Sequence, residues 1–523
     1  MIKIPYSAAL SMVVSLAALS TPLAEAVQPK RDIEALPKPN ILILYADDLG
    51  YGDLSSFNPD SKIPTAHIDR LAAEGMRLTD AHSSSGVCTP SRYALLTGRY
   101  HWRKFHGIVG TFGESKFDAD ELTLPEMLQE AGYTSAVIGK WHLGFDWNSI
   151  KKPGAERFQY GGNAWDSTYT YDAFDWSKPI ADGPLAHGFD YYFGDAVINF
   201  PPYAWIENDR VIGTPDRMMD TSLFKPIKEG NWEFRRGPMV EGWDPYEHIP
   251  TITAKGVEKI HEYAQSEQPF FLFFSFPSPH APIIPNDEFD GRSEAGPYGD
   301  FVVETDEASG ILLQALEDAG VADNTIVIFT ADNGAEWYAY PRYQKTGHWS
   351  SEPLRGLKRD IFEGGHRVPT IIRWPGIITE GTVSDVLFSQ IDLMATFASI
   401  LGVELPADQA FDSYNQLPVL LGQEPSVRNS HVHNTHPGAY ALRHGDWLLI
   451  DAPSGYHTNR EDTVPEWEAS RGYESDDLPV KLYNLREDIG QRHNLAEQYP
   501  EKVVELQARL QKIRDDGQTA TRR

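Results

Sequence analysis

Four short apolar runs in this chain are each followed at once by side chains that can bind ions or carry protons. The following groups are Asp47-Asp48, Lys140-Trp141-His142, Pro279-His280 and Asp332-Asn333. Taken alone, each has an ordinary structural explanation, since an acidic or amide pair after a strand is typical of an Asx turn or a helix cap. Their recurrence after all four runs predicts one site in which carboxylates, a lysine and two histidines meet.

The four runs have the length and composition of β-strands. They occupy residues 41–45, 135–138, 270–274 and 326–329. They are continuously apolar, which is typical of strands covered on both faces, and helical patterns at 68–74, 124–131 and 308–319 accompany them. The layout predicts an α/β fold with a large mixed, mostly parallel sheet sandwiched by helices. Ligands of such sheets bind beyond the carboxyl ends of the strands, where the four groups lie.

Cys88 is the only cysteine of the 523 residues, so the chain forms no intramolecular disulfide. A single cysteine is commonly a small buried hydrophobe, but this one opens the motif Cys88-Thr89-Pro90-Ser91-Arg92, with Leu96-Thr97-Gly98-Arg99 downstream. Pro90 suits the first turn of a helix. Cys88 is therefore expected at a helix N-terminus, a position that favours anions.

These two elements resemble the signature of the sulfatase family, arylsulfatase type. The resemblance runs from Asn40 to about residue 495 and is weakest between 145 and 250. It implies an alkaline-phosphatase/sulfatase-like fold and a maturation enzyme that oxidises Cys88 to Cα-formylglycine. One hydroxyl of the hydrated aldehyde then attacks the sulfur of a sulfate ester and releases the alcohol. The second hydroxyl loses its proton, so that sulfate is expelled and the aldehyde forms again.

The resemblance also implies a metal site. Its ligands are Asp47, Asp48, Asp332, Asn333 and the residue made from Cys88. Oxygen donors without thiolate or imidazole favour a hard cation, with Ca²⁺ preferred and Mg²⁺ as the alternative.

Catalytic roles follow from the same resemblance. Arg92 steadies the diol, and Lys140 and Lys358 grip the sulfate oxygens. His142 takes the proton of the second hydroxyl, and His280 protonates the leaving oxygen.

The N-terminus and the net charge bear on where the protein acts. Residues 1–26 are typical of a cleavable secretory signal, with an apolar run and Ala24-Glu25-Ala26 as cleavage site. No later segment approaches the ~20 uninterrupted apolar residues of a membrane span, so we expect a periplasmic or secreted protein without membrane insertion. The charge of −29 repels nucleic acid and anionic membranes, so an anionic substrate needs a local basic pocket.

The sequence predicts two structural units after the signal. A catalytic domain spans 38–425, and a smaller antiparallel α+β subdomain spans 426–523, with strands near 440–450 and 481–485 and a terminal helix at 502–513. The stretch between residues 148 and 247 lacks periodicity. It is predicted to form long loops, where specificity usually lies.

Export and aromatic residues in loops favour a sulfated carbohydrate as natural substrate, with small aryl sulfates as artificial ones. Candidate substrate contacts are His101, Trp102, His348, His366 and Arg367. The histidine-rich stretch 431–436 either lines the pocket or binds a transition metal. Two other functions stay open: a formylglycine-dependent phosphonate or phosphate ester hydrolase, and a non-catalytic secreted glycan-binding protein.

Overall fold

A computed structural model describes residues 37–163, 166–457, 464–473 and 477–520. The predicted signal segment, residues 1–26, lies outside this part of the chain. Within the described ranges, no helix combines the length and the apolarity that crossing a bilayer requires.

Among the described residues, a ten-stranded sheet forms the centre of the protein. In chain order its strands are β1 (Asn40–Asp47), β2 (Met76–Leu78), β3 (Thr134–Lys140), β4 (Tyr191–Asp195), β5 (Ile206–Glu207), β6 (Arg210–Val211), β7 (Phe270–Pro279), β8 (Thr325–Ala331), β9 (Thr370–Arg373) and β10 (Thr382–Ser384). They lie side by side in the order β10-β2-β9-β8-β1-β7-β3-β4-β5-β6. The strands β8, β1, β7, β3 and β4 are parallel neighbours, and antiparallel pairing begins on either side with β9 and β5.

The four apolar runs of the sequence are four adjacent strands of this sheet: β3, β7, β1 and β8. Their register aligns Ile43 with Phe273 on one side and with Ile328 on the other. The carboxyl ends of the four strands therefore meet at one edge of the sheet. The predicted fold class, a mixed and mostly parallel sheet with helices on both faces, is confirmed.

Every residue of β1 is buried, and successive side chains of a strand point to opposite faces of the sheet. Both faces of the sheet are therefore covered, and helices pack on each. Leu42 and Leu44 pack into one core with the helices at 66–74, 248–263 and 296–318, whereas Ile41, Ile43 and Tyr45 pack into a second core with the helices at 88–97, 124–130 and 393–401. The helices are α1 (Ala66–Glu74), α2 (Cys88–Thr97), α3 (Leu124–Glu130), α4 (His248–Tyr263), α5 (Gly296–Asp318), α6 (Ala339–Thr346), α7 (Glu363–His366), α8 (Leu393–Leu401), α9 (Leu417–Leu420), α10 (Val464–Arg471) and α11 (Pro500–Asp515).

A smaller antiparallel sheet follows in the C-terminal part. Its described strands, in spatial order, are β11 (Ser430–His436), β12 (Ala439–His444), β13 (Trp447–Ile450) and β14 (Lys481–Asn484). Helix α11 packs on it through Leu506 and Leu510, and the same apolar cluster includes Tyr100 and Trp102, which lie just after α2. The C-terminal sheet is thus joined by a shared core to the segment that carries Cys88. The described residues also form three short two-residue pairings: Ala81–His82 with Phe388–Ser389, Phe158–Gln159 with Ser167–Thr168, and Arg217–Met218 with Pro238–Met239.

Candidate active site

The carboxylates of the site follow directly from the ends of β1 and β8. Asp47 ends β1, and Asp48 follows in a left-handed conformation with φ of 62°, which turns the chain sharply at the sheet edge. Asp332 and Asn333 follow β8, and the backbone N–H of Asp48 donates to Asp332 Oδ1 at 3.2 Å. All four side chains are buried. Two neighbouring parallel strands therefore deliver four oxygen-bearing side chains to one point.

Cys88 is the first residue of α2, after Val87 in extended conformation. Its Sγ lies 3.6 Å from Asp47 Oδ1. Thr89 fixes this end of the helix, because its hydroxyl donates to the His142 carbonyl at 2.7 Å and accepts from Val109 N–H at 3.0 Å. The helix N-terminus, with its unpaired N–H groups and positive dipole end, is thus directed at the carboxylate cluster.

Three cations surround the carboxylates. Arg92 donates through Nε and Nη2 to Asp332 Oδ2 at 3.1 and 2.8 Å. The ammonium of Lys140, the last residue of β3, lies 2.5 Å from Asp47 Oδ2. Lys358 Nζ lies 2.7 Å from Asp48 Oδ2. The local basic pocket that the acidic chain requires is therefore present.

The two histidines each have one ring nitrogen fixed by a backbone carbonyl. His142 Nε2 lies 3.0 Å from Val109 O and His280 Nδ1 lies 2.5 Å from Ala281 O, so each of these nitrogens carries the hydrogen. The other nitrogen of His142, Nδ1, is buried and has no hydrogen-bond partner in the described chain. Burial lowers the pKa of both imidazoles well below the usual value, with Lys140 adding to the effect. Each neutral ring thus offers one free lone pair to receive a proton.

Burial affects the acidic groups unequally. It raises the pKa of Asp48 to about 7, although Lys358 opposes the shift. Burial acts in the same direction on Asp47, but Lys140 and Arg92 outweigh it and bring the pKa of that carboxyl below its usual range. The pKa of the Cys88 thiol is raised to about 12, again by burial, despite the nearby lysines. Three carboxylates within one dry cluster are an environment that a divalent cation stabilises.

The residues present fit a metal ion. Single ligand atoms of Asp47, Asp48, Cys88 and His280 lie within 4.8 Å of one another. Asn333 Nδ2 donates to Asp48 Oδ1 at 2.7 Å, and its Oδ1 is buried without a partner among the described residues. A buried carbonyl oxygen without a donor is costly unless a ligand satisfies it. The arrangement of carboxylate and amide oxygens matches the preference of a hard cation.

A cavity of about 540 Å³ opens onto the cluster. Cys88, His142, His280 and Lys358 line it. This volume is within the range of small-molecule sites.

Comparison with known proteins identifies the family. Residues 39–403 match the family model described as Sulfatase. The chain belongs to the sulfatase family. It is 33% identical to an N-acetylgalactosamine-6-O-sulfatase of Bacteroides thetaiotaomicron, over 91% of this chain and 93% of the relative. It is 32% identical to arylsulfatase A of Bos taurus, over 91% and 87%.

Solved structures agree. A Bacteroides thetaiotaomicron protein described in work on the metabolism of multiple glycosaminoglycans superposes with a TM-score of 0.76 at 32% identity, over 91% of this chain and 99% of that one. A sulfatase from Pseudoalteromonas sp. superposes with a TM-score of 0.68 at 25% identity, over 93% and 92%. The protein is accordingly a sulfuric ester hydrolase with the alkaline-phosphatase-like fold, and the resemblance inferred from the Cys88 motif is confirmed.

The five residues that the sequence suggested as substrate contacts do not line the cavity of this sulfatase. His101 and Trp102 are buried, the latter in the core shared with the C-terminal sheet. His348 is buried against Asp53, with Nε2 2.8 Å from the carboxylate. Position along the sequence does not predict that the chain buries His101, Trp102 and His348.

His366 and Arg367 are also internal. Arg367 pairs with Asp80 at 3.0 Å and with Glu363 at 3.1 Å. His366 stacks on His433 with ring centroids 3.4 Å apart. These contacts occupy both side chains within the protein, and their contact with substrate stays a prediction.

The histidine-rich stretch forms β11, in which His431 and His433 are fully buried, whereas Thr435 and His436 line the cavity. The side chains of His82, Glu363 and His366 come within 4.8 Å of one another, a spacing compatible with a metal. Arginine already neutralises the carboxylates here, and Asp80 binds His82 Nε2 at 2.8 Å. The carboxylates of this cluster are therefore paired with protein groups, and we assign no metal to it.

Sequence reasoning missed several residues of the site. Glu336 pairs with Arg359 at 2.6 Å and lies 3.7 Å from Lys358, and Ser275 accepts a hydrogen bond from Arg92. The cavity is also lined by residues from the aperiodic stretch 148–247, including Asn199 and Arg235. The lack of periodicity in that stretch was the available signal, but it does not single out individual residues.

Proposed function

We propose that this sulfatase is an exported enzyme that hydrolyses sulfate monoesters of glycosaminoglycan-type sugars, with formylglycine made from Cys88 and one Ca²⁺ ion. The observation that carries the proposal is the position of Cys88, at a helix N-terminus and 3.6 Å from Asp47. The names of the relatives support the substrate class, because several are N-acetylgalactosamine-6-sulfatases.

The proposed cation is held by Asp47, Asp48, Asp332 and Asn333. When bound, it neutralises sulfate oxygens and promotes ionisation of the nucleophile. Converted to formylglycine, residue 88 supplies a hydrated aldehyde as that nucleophile. Ca²⁺ is preferred to Mg²⁺ because a cluster of buried side chains from separate strands does not impose the regular octahedron that Mg²⁺ requires.

The chain's own residues perform the remaining tasks. Lys140 and Lys358 contact Asp47 and Asp48 and are placed to bind the sulfate oxygens, while a bound cation would take over their role beside the carboxylates. Arg92 fixes the direction of Asp332.

Proton transfer falls to Asp332 and the two histidines. Asp332 accepts the proton of the attacking hydroxyl. His142 Nδ1, which has no partner among the described residues and belongs to a residue lining the cavity, accepts the proton of the second hydroxyl. His280 Nε2, 3.8 Å from Asp48 Oδ2, takes up a proton from solvent on its free lone pair and passes that proton to the leaving alcohol.

Mass spectrometry of the peptide covering residues 82–99 tests the modification. We expect an aldehyde-bearing residue 88 in protein purified in active form from its native host. An active preparation with an unmodified thiol would contradict the proposal. The N-terminus of the same preparation should begin after residue 26 if the chain is exported.

Activity on matched esters tests the reaction. Hydrolysis of 4-nitrophenyl sulfate should exceed that of 4-nitrophenyl phosphate and of its diester. Faster hydrolysis of either phosphate ester would favour the phosphonate or phosphate hydrolase of the sequence analysis. A Cys88→Ala variant should lose at least about a thousandfold in kcat/KM, since its nucleophile is removed.

A further inference from the structure

The cavity contains polar groups that the proposed reaction leaves unused. Asn199 and Arg235 line it, together with Phe200 and the proposed catalytic residues. They come from the aperiodic stretch rather than from the ends of the four central strands. Their contacts indicate what they bind.

Arg235 is a cation available to a ligand. Of the other cations that line the cavity, Lys358 pairs with Asp48 and Arg359 pairs with Glu336 at 2.6 Å. The half-buried guanidinium of Arg235 forms neither an ion pair nor a side-chain hydrogen bond with any described residue. A half-buried guanidinium without a counter-ion favours an anionic ligand.

The position of Arg235 is fixed by its neighbours. Its backbone N–H donates to Asn199 O at 2.9 Å, and its carbonyl accepts from Tyr203 OH at 2.5 Å. Its guanidinium carbon lies 5.6 Å from the centroid of the Phe200 ring, a cation–π contact. Phe200 in turn contacts His142 edge to face, with centroids 5.7 Å apart. One aromatic ring thus separates the guanidinium from the proposed catalytic base.

Asn199 offers an acceptor in the same place. Its side chain is 4% exposed, and its Nδ2 donates to the Glu233 carbonyl at 3.4 Å. Its Oδ1 has no partner among the described residues. A buried acceptor of this kind is satisfied by a ligand that brings an O–H or N–H donor.

We propose that Arg235 and Asn199 form a recognition subsite for a sulfated sugar that carries a second oxyanion. Asn199 Oδ1 accepts a hydrogen bond from a hydroxyl or acetamido N–H of the sulfated ring. Arg235 binds the second oxyanion, which is either the carboxylate of an adjoining uronate or a second sulfate ester. This subsite rests on the proposed function, because that function places the scissile sulfate at Cys88.

The test compares Arg235→Ala with the wild type on four sulfate esters. These are 4-nitrophenyl sulfate, N-acetylgalactosamine 6-sulfate, its disaccharide with a uronate, and N-acetylgalactosamine 4,6-disulfate. For each protein, kcat/KM on a substrate with a second oxyanion is divided by kcat/KM on N-acetylgalactosamine 6-sulfate. We expect this ratio to be ~10- to 100-fold lower in Arg235→Ala than in the wild type, mainly because KM for the substrate with the second oxyanion rises. The affected substrate, uronate disaccharide or disulfate, identifies the source of the oxyanion.

Arg236→Ala is the matched control. Arg236 is the next residue, is exposed and has its guanidinium over Phe158, and it does not line the cavity. We expect its ratios to equal those of the wild type, and we expect Arg235→Lys to retain part of the selectivity. An unchanged ratio in Arg235→Ala, an equal loss on every ester, or the same change in Arg236→Ala would overturn the subsite.

Failure of the proposed function is distinguishable from failure of the subsite. If the wild type hydrolyses no sulfate ester, the proposed function is contradicted but the subsite is not. Calorimetric binding of the uronate disaccharide to Cys88→Ala, with and without Arg235→Ala, then tests the subsite without turnover. Equal affinity of the two proteins, or no binding to Cys88→Ala, would reject the role of Arg235.

Asn199→Ala tests the second residue on substrates that lack a second oxyanion. We expect kcat/KM for N-acetylgalactosamine 6-sulfate to fall about two- to tenfold relative to 4-nitrophenyl sulfate, the effect of one neutral hydrogen bond. An equal change on both esters would remove Asn199 from the subsite.

Discussion

Arg92 holds Asp332 by two hydrogen bonds to the same oxygen. Nε and Nη2 lie 3.1 and 2.8 Å from Oδ2, while Oδ1 accepts from the backbone N–H of Asp48 at 3.2 Å. The orientation of this carboxylate is therefore set by the protein before any ligand binds. Because Arg92 and Cys88 belong to the same helix, the direction of Asp332 and the position of Cys88 are fixed by one rigid element.

Replacing Arg92 with lysine should weaken the metal site. Arg92→Lys retains the positive charge but loses the planar pair of donors that fixes Asp332. We expect Ca²⁺ affinity to fall about 10- to 100-fold, with a parallel loss of kcat/KM at limiting Ca²⁺. Calcium titration monitored by activity and by metal analysis after dialysis measures both. Arg99→Lys, at the partly exposed Arg99–Glu121 pair, serves as control, and equal Ca²⁺ affinities would contradict the role of Arg92.

Removal of the metal should abolish activity reversibly. A chelator would remove the proposed cation from the clustered carboxylates and leave the lysines paired with Asp47 and Asp48. We expect Ca²⁺ to restore more activity than Mg²⁺ at equal concentration, because the ligand set is irregular. Metal-free protein that retains full activity would be inconsistent with the proposed site.

Gly139→Ala should damage both stability and catalysis. Gly139 has φ of 100°, and a Cβ there would lie 2.0 Å from the carbonyl oxygen of Ser275 on the neighbouring strand. Gly132 has a similar φ of 90° but nothing within 4 Å of its added Cβ. Gly132→Ala therefore measures the loss of stability caused by the positive φ alone.

We expect about 1–2 kcal/mol of destabilisation for Gly132→Ala and a further ~1–3 kcal/mol for Gly139→Ala. Urea unfolding measures both variants. Gly139→Ala should also lower kcat, because Lys140 follows directly. Equal losses of stability in the two variants would show that the neighbouring strand adjusts to the added Cβ near Ser275 at no cost in stability.

Glu304 should make stability depend on pH. Burial raises the pKa of its carboxyl to about 7, from an ordinary value of 4.5, although Asn286 donates two hydrogen bonds to it. Between these values the folded protein binds more protons than the unfolded chain, so the free energy of unfolding falls as pH rises from 4.5 towards 7.

Glu304→Gln removes this titration. Its free energy of unfolding should decrease less than that of the wild type between pH 5 and 7. Urea unfolding of both proteins across this interval measures the difference, in which the other titrating groups cancel. Parallel curves for the two proteins would show that Glu304 is already ionised in the folded state.

The central sheet and the core of the site could be predicted because the relevant signals are local. A continuous apolar run predicts a buried strand, and parallel strands bring their carboxyl ends together, so Asp47, Lys140, His280 and Asp332 were expected near one point. The motif at Cys88 then supplied the family. These inferences need only residue type, spacing and strand direction.

The remaining residues of the site could not be predicted, because their positions depend on the paths of the loops, and residue type alone does not determine those paths. Helix α2 ends at Thr97, and Gly98, with φ of 65°, turns the chain so that His101 and Trp102 lie buried, Trp102 in the core beneath the C-terminal sheet. Asn199 and Arg235 reach the cavity from a stretch with no periodicity. Their role emerged only from unpartnered atoms and neighbouring rings, which are properties of the folded chain.

The depth of Cys88 has a consequence for biosynthesis. The thiol is 2% exposed, at the start of a helix whose ten residues are all buried. An enzyme that oxidises this side chain needs access to the segment around it, and the finished fold buries that segment. The proposed conversion therefore has to occur while the polypeptide is still open. We therefore expect the yield of active enzyme to depend on whether oxidation precedes folding.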